Sequence, residues 1–134
     1  MASILKVDEM QGVTSAGDIT ITSEGGSATQ SLQQGLAKAW CYISSSGTVL
    51  SDSLNIGSIA DNGTGSYQAN FTNNMNNVLF SQALTSGTYT ITAHCAGMQS
   101  DSATSNFRIR GLNGNETAAV DIPDSYGTIH GDLA

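Results

Sequence analysis

Residues 61–72, Asp61-Asn62-Gly63-Thr64-Gly65-Ser66-Tyr67-Gln68-Ala69-Asn70-Phe71-Thr72, join a turn to a strand. Tyr67, Ala69 and Phe71 share one face while Gln68, Asn70 and Thr72 share the other, the period of two expected of a strand with one wet side. Asn62-Gly63 just before it predicts a hairpin, because both residues tolerate positive φ. Working upstream, Val49 to Leu54 and residues 56–60 read as weaker strands, and the dense run Trp40-Cys41-Tyr42-Ile43 within 37–44 reads as a buried or half-buried one. Downstream, the polar connection Asn73-Asn74-Met75-Asn76-Asn77 leads to an expected partner strand over 78–83, and Ser86-Gly87 turns the chain. Tyr89, Ile91, Ala93 and Cys95 then oppose Thr90, Thr92 and His94, and Phe107 and Ile109 oppose Arg108 and Arg110. A polar loop over 96–105 separates those two strands, and Asn113-Gly114 turns the chain before strands expected at 118–122 and 126–130. Many short strands at this spacing predict an all-β fold, a small antiparallel β-sandwich over residues 37–134.

The first 36 residues differ in character. Residues 3–7 are apolar enough to pair as a strand, residues 8–17 are turn-like, and Asp18-Ile19-Thr20-Ile21-Thr22 alternates until Gly25-Gly26 interrupts it. Leu32 and Leu36 are spaced for one or two helical turns within 29–36, with Gly35 a weak helix former among them. No core is expected here, so residues 1–36 are read as an extended N-terminal arm that docks onto another protein. Ile4, Leu5 and Val7 are its candidate contacts, since strand addition gains affinity from main-chain hydrogen bonds.

Composition narrows the function. Charged residues make up 11% of the 134-residue chain, against roughly 25% in an ordinary soluble domain. Ser, Thr, Asn and Gly take their place, which suits strands and turns. With net charge −7 and only Lys6, Lys38, Arg108 and Arg110 as cations, there is no basic stripe to hold a phosphate backbone, and nucleic acid is not an expected partner. No run of about 18 apolar residues predicts membrane insertion. The opening residues lack the basic, apolar and small-residue pattern of a secretory signal, which predicts synthesis in a cytoplasm, and two cysteines make no disulfide framework.

Candidate chemistry is sparse. His94 and His130 are the two histidines, and no serine near them lies in a Gly-x-Ser-x-Gly elbow, so no enzyme and no catalytic residue is expected. Cys41, His94, Cys95 and His130 lack zinc-ligand spacing. His94 and Cys95 are consecutive on an expected strand and leave on opposite faces, which leaves a threefold axis through His130 as the metal arrangement still open. Asp121, Asp124 and Asp132 do not follow the calcium-loop spacing, and no cofactor is expected. Trp40, Tyr42, Phe71, Phe80 and Tyr89 could form an aromatic platform for a sugar, but a fold of this size needs most of its aromatics as core. Surface contact with a glycan is expected instead from loop amides that make adaptable hydrogen bonds: Asn73, Asn74, Asn76, Asn77 and Gln99.

Several stretches carry a resemblance. Asp61-Asn62-Gly63-Thr64-Gly65-Ser66-Tyr67, Phe71-Thr72-Asn73-Asn74-Met75, Phe107-Arg108-Ile109-Arg110 and the closing Ile129-His130-Gly131-Asp132-Leu133-Ala134 resemble the C-terminal module of tail-fibre and virion proteins of marine podoviruses that infect cyanobacteria and pelagic bacteria. Ser3-Ile4-Leu5-Lys6-Val7-Asp8 and Leu32-Gln33-Gln34-Gly35-Leu36-Ala37-Lys38-Ala39-Trp40 resemble the start of the same group, so the resemblance covers nearly the whole chain. It implies a bacteriophage virion protein, a trimeric homo-oligomer whose arm docks onto other virion proteins of the tail or capsid and which takes part in host attachment. The chain departs from long fibres in having no shaft. A short tail fibre, a tail adaptor, a capsid decoration or head fibre, and a lectin-like receptor module are therefore alternatives.

Overall fold

The computed structural model describes residues 4–14, 19–22, 25–44, 48–87, 93–97 and 101–134, with only the backbone of 93–97. Its elements are β1 (Thr20–Thr22), β2 (Thr29–Ser31), α1 (Leu32–Gly35), β3 (Ala39–Ser44), β4 (Val49–Leu54), β5 (Ile56–Asp61), β6 (Ser66–Phe71), β7 (Ser81–Ser86), β8 (Ala93–Gly97), β9 (Asn106–Asn113) and β10 (Ser125–His130). Among the described residues the fold is all-β with antiparallel sheets and one short helix. The chain divides into two compact units, Met1–Leu36 and Ala37–Ala134.

The hairpin expected at Asn62-Gly63 is present. Asp61 Oδ1 accepts from Gly63 N at 2.9 Å, Asn62 N donates to Ser66 O at 2.8 Å, and Gly63 and Gly65 both take positive φ (106° and 62°), the region where a Cβ is penalised. Strand β6 follows with its period of two intact: Tyr67, Ala69 and Phe71 are buried, and Ser66, Gln68 and Asn70 alternate with them. Its other neighbour is β9, which sets Phe107 opposite Ala69 and Ile109 opposite Tyr67, and the four-stranded order is β5-β6-β9-β8. A second four-stranded sheet has the order β4-β3-β10-β7. There Ala39, Cys41 and Ile43 of β3 and Ile129 of β10 are buried.

Side chains from both sheets enter one core cluster. Phe71 meets Phe80 edge-on (centroids 5.7 Å apart, planes at 85°) and Phe107 at the same separation with planes at 35°. Such offset aromatic pairs add to the gain from burial alone. A Cβ at Gly127 would stand 2.8 Å from Leu84 Cδ2 and 3.4 Å from Cys41 Sγ, so the core claims the space a side chain on β10 would need.

The passage from β4 to β5, which lie in different sheets, takes a single residue, Asn55, at φ 59°. Asparagine is one of the few side-chain-bearing residues that accept this left-handed conformation readily. Its amide fastens the corner: Nδ2 donates to Lys38 O (3.1 Å) and Asn73 O (3.0 Å), and Oδ1 accepts from Asn73 N (2.7 Å).

Three expectations need correction. The strand expected over 78–83 runs instead over Ser81–Ser86: Val78 and Leu79 are exposed, Phe80 is buried, and pairing begins where Ser81 meets His130. Residues 118–122 form no strand. They cross the end of β9 through one isolated bridge, Leu112 to Ala119, with Ile122 buried. The helical turn is confined to Leu32–Gly35, where Ser31 Oγ caps Gln34 N, and residues 29–31 pair as β2 instead.

In the first unit β1 and β2 pair as a two-stranded antiparallel sheet, and Leu32 N donates to Ile19 O at 2.8 Å. None of its described residues is buried. A two-stranded hairpin without a hydrophobic face is at best marginal in water.

Candidate functional site

The candidate docking residues lie on backbone with no regular secondary structure, and all are exposed: Ile4 at 79%, Leu5 at 76% and Val7 at 52%. Met10 and Val13 continue the apolar series in the open, which the sequence reading did not single out. Beside the hairpin, a groove of about 250 Å³ is lined by Ile21, Ala28, Thr29 and Gln30. The first unit thus offers apolar side chains it cannot cover itself.

The candidate glycan loop divides by position. Asn73, Asn74, Asn76 and Asn77 are exposed, but Met75 between them is 1% exposed and anchored, its N–H donating to Thr104 O and its backbone bridging to Leu133. Asn73 is bonded to Asn55, Asn76 N donates to Asp132 O, Asn74 O accepts from Ala134 N, and Asn77 Oδ1 accepts from Leu79 N. The backbone of the loop is pinned to the chain's end, while its four asparagines stay exposed. Gln99 lies outside the described residues, as do Tyr89, Ile91 and the side chains of His94 and Cys95. His130 is exposed at the end of β10, and Cys41 is buried in the core cluster. Among the described residues no three His, Cys, Asp or Glu side chains converge as a metal site, and no helix is long and apolar enough to cross a membrane.

A different cluster emerges on the outer face of the β4-β3-β10-β7 sheet. Because neighbours in a strand alternate, burying Ala39, Cys41 and Ile43 sends Trp40 and Tyr42 outward. Tyr126 is exposed for the same reason on β10. Pairing places Leu54, Trp40, Thr128 and Ala83 in one cross-strand row and Asp52, Tyr42, Tyr126 and Thr85 in the next. The Tyr42 and Tyr126 rings stack at 4.9 Å with planes 7° apart. Tyr42 OH donates to Asp124 Oδ1 at 3.1 Å, and that hydrogen bond, with the carboxylate's charge, raises the phenol's pKa. Tyr126 leans over Gly87, where a Cβ would meet its Cε2 at 2.8 Å. Trp40 is 37% exposed, Tyr126 45% and Leu54 48%. The sequence groups Trp40 and Tyr42 with Phe71 and Phe80 as candidate aromatics; the structure separates them, putting the phenylalanines in the core and Trp40 and Tyr42 outside.

A second network is structural. Asp121 Oδ1 accepts from Gly65 N (2.7 Å) and from Tyr67 OH (2.9 Å), and that hydroxyl accepts from Ile122 N (3.2 Å). Burial first, then the Asp121 hydrogen bond, pushes the Tyr67 pKa up to about 12. Lys38 is 6% exposed, and burial lowers its pKa while Asp132 opposes the shift. No family model, no curated protein and no solved structure matches the chain.

Proposed function

We propose that this chain is a non-enzymatic virion structural protein of a bacteriophage, a short tail fibre or fibre-like module. Residues 1–36 act as an arm that docks onto other tail or capsid proteins, and residues 37–134 form a β-sandwich that faces outward and takes part in host attachment. The single observation behind this reading is the apolar series Ile4, Leu5, Val7, Met10 and Val13, all exposed in a unit none of whose described residues is buried. Apolar side chains left in water in this way find their burial on a partner. Association as a trimer belongs to the same reading, since subunits packed side by side would cover weakly charged sheet edges.

The test uses the full chain in virions. Replacing Ile4, Leu5 and Val7 together by Ser is expected to remove the protein from purified particles, measured by quantitative mass spectrometry, while the variant's circular dichroism stays that of the parent. Incorporation at the parental copy number would overturn the docking role.

A further inference from the structure

We infer that the outer face of the β4-β3-β10-β7 sheet binds a neutral saccharide, with Trp40, Tyr42 and Tyr126 as the stacking surface and Asp52 and Asp124 as hydroxyl acceptors. The inference rests on reading residues 37–134 as the outward part of an attachment module, and it names the partner.

Position is the first ground. Trp40, Tyr42 and Tyr126 occupy the two central strands, β3 and β10, and stand in adjacent cross-strand rows about 7 Å apart along the strand. Five aromatic residues remain of the eight in the chain; four of them, Tyr67, Phe71, Phe80 and Phe107, are core, and the fifth, Tyr89, lies outside the described residues. A fold with so few aromatics still leaves three outward on one face.

The face is also held in place before any ligand arrives. Asp124 fixes the Tyr42 hydroxyl, the two tyrosine rings stack, and Gly87 provides the space into which Tyr126 leans. Groups already held in place lose little freedom on binding. Asp52 Oδ1 is likewise held, accepting from Ser53 N at 2.8 Å. The second oxygen of each of these carboxylates makes no hydrogen bond among the described residues. Thr85 and Thr128, in the same two rows, add hydroxyls that both donate and accept.

The chemistry selects the occupant. One row is apolar apart from Thr128, and the next sets Asp52 and Thr85 on either side of the stacked tyrosines, with Asp124 at the Tyr42 hydroxyl. A pyranose matches that arrangement, with C–H faces to lay on aromatic rings and hydroxyls to give to the carboxylates at their edge. A second copy of the chain fits poorly. No Lys or Arg occurs on the four strands, so a twofold contact through this face would bring Asp52 and Asp124 toward their own counterparts with no Lys or Arg to offset them.

Trp40 is the sole tryptophan, so its emission reports on this face alone. The experiment titrates the full chain with neutral oligosaccharides covering malto-, cello-, chito-, manno- and galacto-series, following Trp40 fluorescence at two salt concentrations. Saturable change with one or more of them, insensitive to salt, is expected. Tyr126→Ala and Asp124→Asn should each weaken that binding roughly tenfold. Ser58→Ala on the other sheet should leave it unchanged, and circular dichroism confirms that each variant is folded.

Three results would overturn the inference: no response to any of the series; a response to tetramethylammonium or a lysine peptide alone, abolished by salt; or a Trp40 emission that changes with protein concentration alone, together with a rise in mass by light scattering. None of these touches the docking of residues 1–36, which is read from particle incorporation. Loss of incorporation by the Ile4, Leu5, Val7 variant with no sugar response thus separates the two failures.

Discussion

Tyr67 shows how one hydroxyl can close a fold. Its ring is 0% exposed in the core while its oxygen donates to Asp121 and accepts from Ile122 N, tying residues 121–122 to the β5–β6 turn. Tyr67→Phe keeps the ring and leaves the buried Ile122 N–H without its acceptor, so a loss of about 1–3 kcal/mol in urea unfolding is expected. The same residue sets an alkaline limit. Its pKa is about 12 in the folded chain and about 10 unfolded, so the unfolded state ionises first. The stabilisation is complete below pH 10 and is lost as pH rises from about 10 through 12, on the order of 2 kcal/mol. Unfolding followed against pH in that window should fall more gently in Tyr67→Phe; an identical slope would assign the loss to other groups. Tyr67 was legible as an inward strand residue from its alternation with Gln68 and Asn70. Its bond to Asp121 was not, because 54 residues separate the pair.

Elements depend on backbone conformations that particular residues permit. Asn55 makes the one-residue passage from β4 to β5 at φ 59° and spends its side chain on the Lys38 and Asn73 backbone. Asn55→Gly keeps the conformation and loses those bonds, at an expected cost of about 1–3 kcal/mol. Asn55→Ala loses both and should cost about 1–2 kcal/mol more. Equal values by chemical denaturation would mean that the φ angle is not what matters. The two turn glycines make a second contrast. A Cβ at Gly63 meets nothing within 4 Å, whereas at Gly65 it would stand 2.6 Å from Gly111 O and 2.7 Å from Val120 O, all backbone atoms with no freedom to swing away. Gly65→Ala should therefore destabilise well beyond Gly63→Ala, which bears only the strain of its positive φ, about 1 kcal/mol. β5, β6 and β9 could be read from turn residues and alternation, which are local. The start of β7 could not, since Val78 and Leu79 are as strand-like as Leu84, and only the register of Ser81 against His130 decides where pairing begins.

At the scale of the whole molecule, residues 37–134 hold every buried residue described, and the first 36 hold none. Removing residues 1–36 is expected to leave the β circular dichroism and cooperative unfolding of the remainder intact, with the midpoint shifted by no more than a few degrees. An unfolded truncation would refute the division of the chain into these units. Phe107→Ala, by contrast, opens a cavity between the sheets beside Phe71 and should cost about 3–5 kcal/mol. By itself the amino-acid sequence determined the all-β class, the hairpin at Asn62-Gly63 and the inward set Tyr67, Ala69, Phe71, Phe107 and Ile109, because turn chemistry and a period of two act between near neighbours. Tertiary structure alone decided which strands share a sheet, that residues 118–122 cross β9 as a tether, and that Trp40, Tyr42 and Tyr126 meet on an outer face. These depend on contacts between residues far apart in the chain, such as the pairing of β3 with β10 more than 80 residues away and the bond of Asp121 to Tyr67, and on which of two alternating faces the common core claims, a choice made only when the sheets come together.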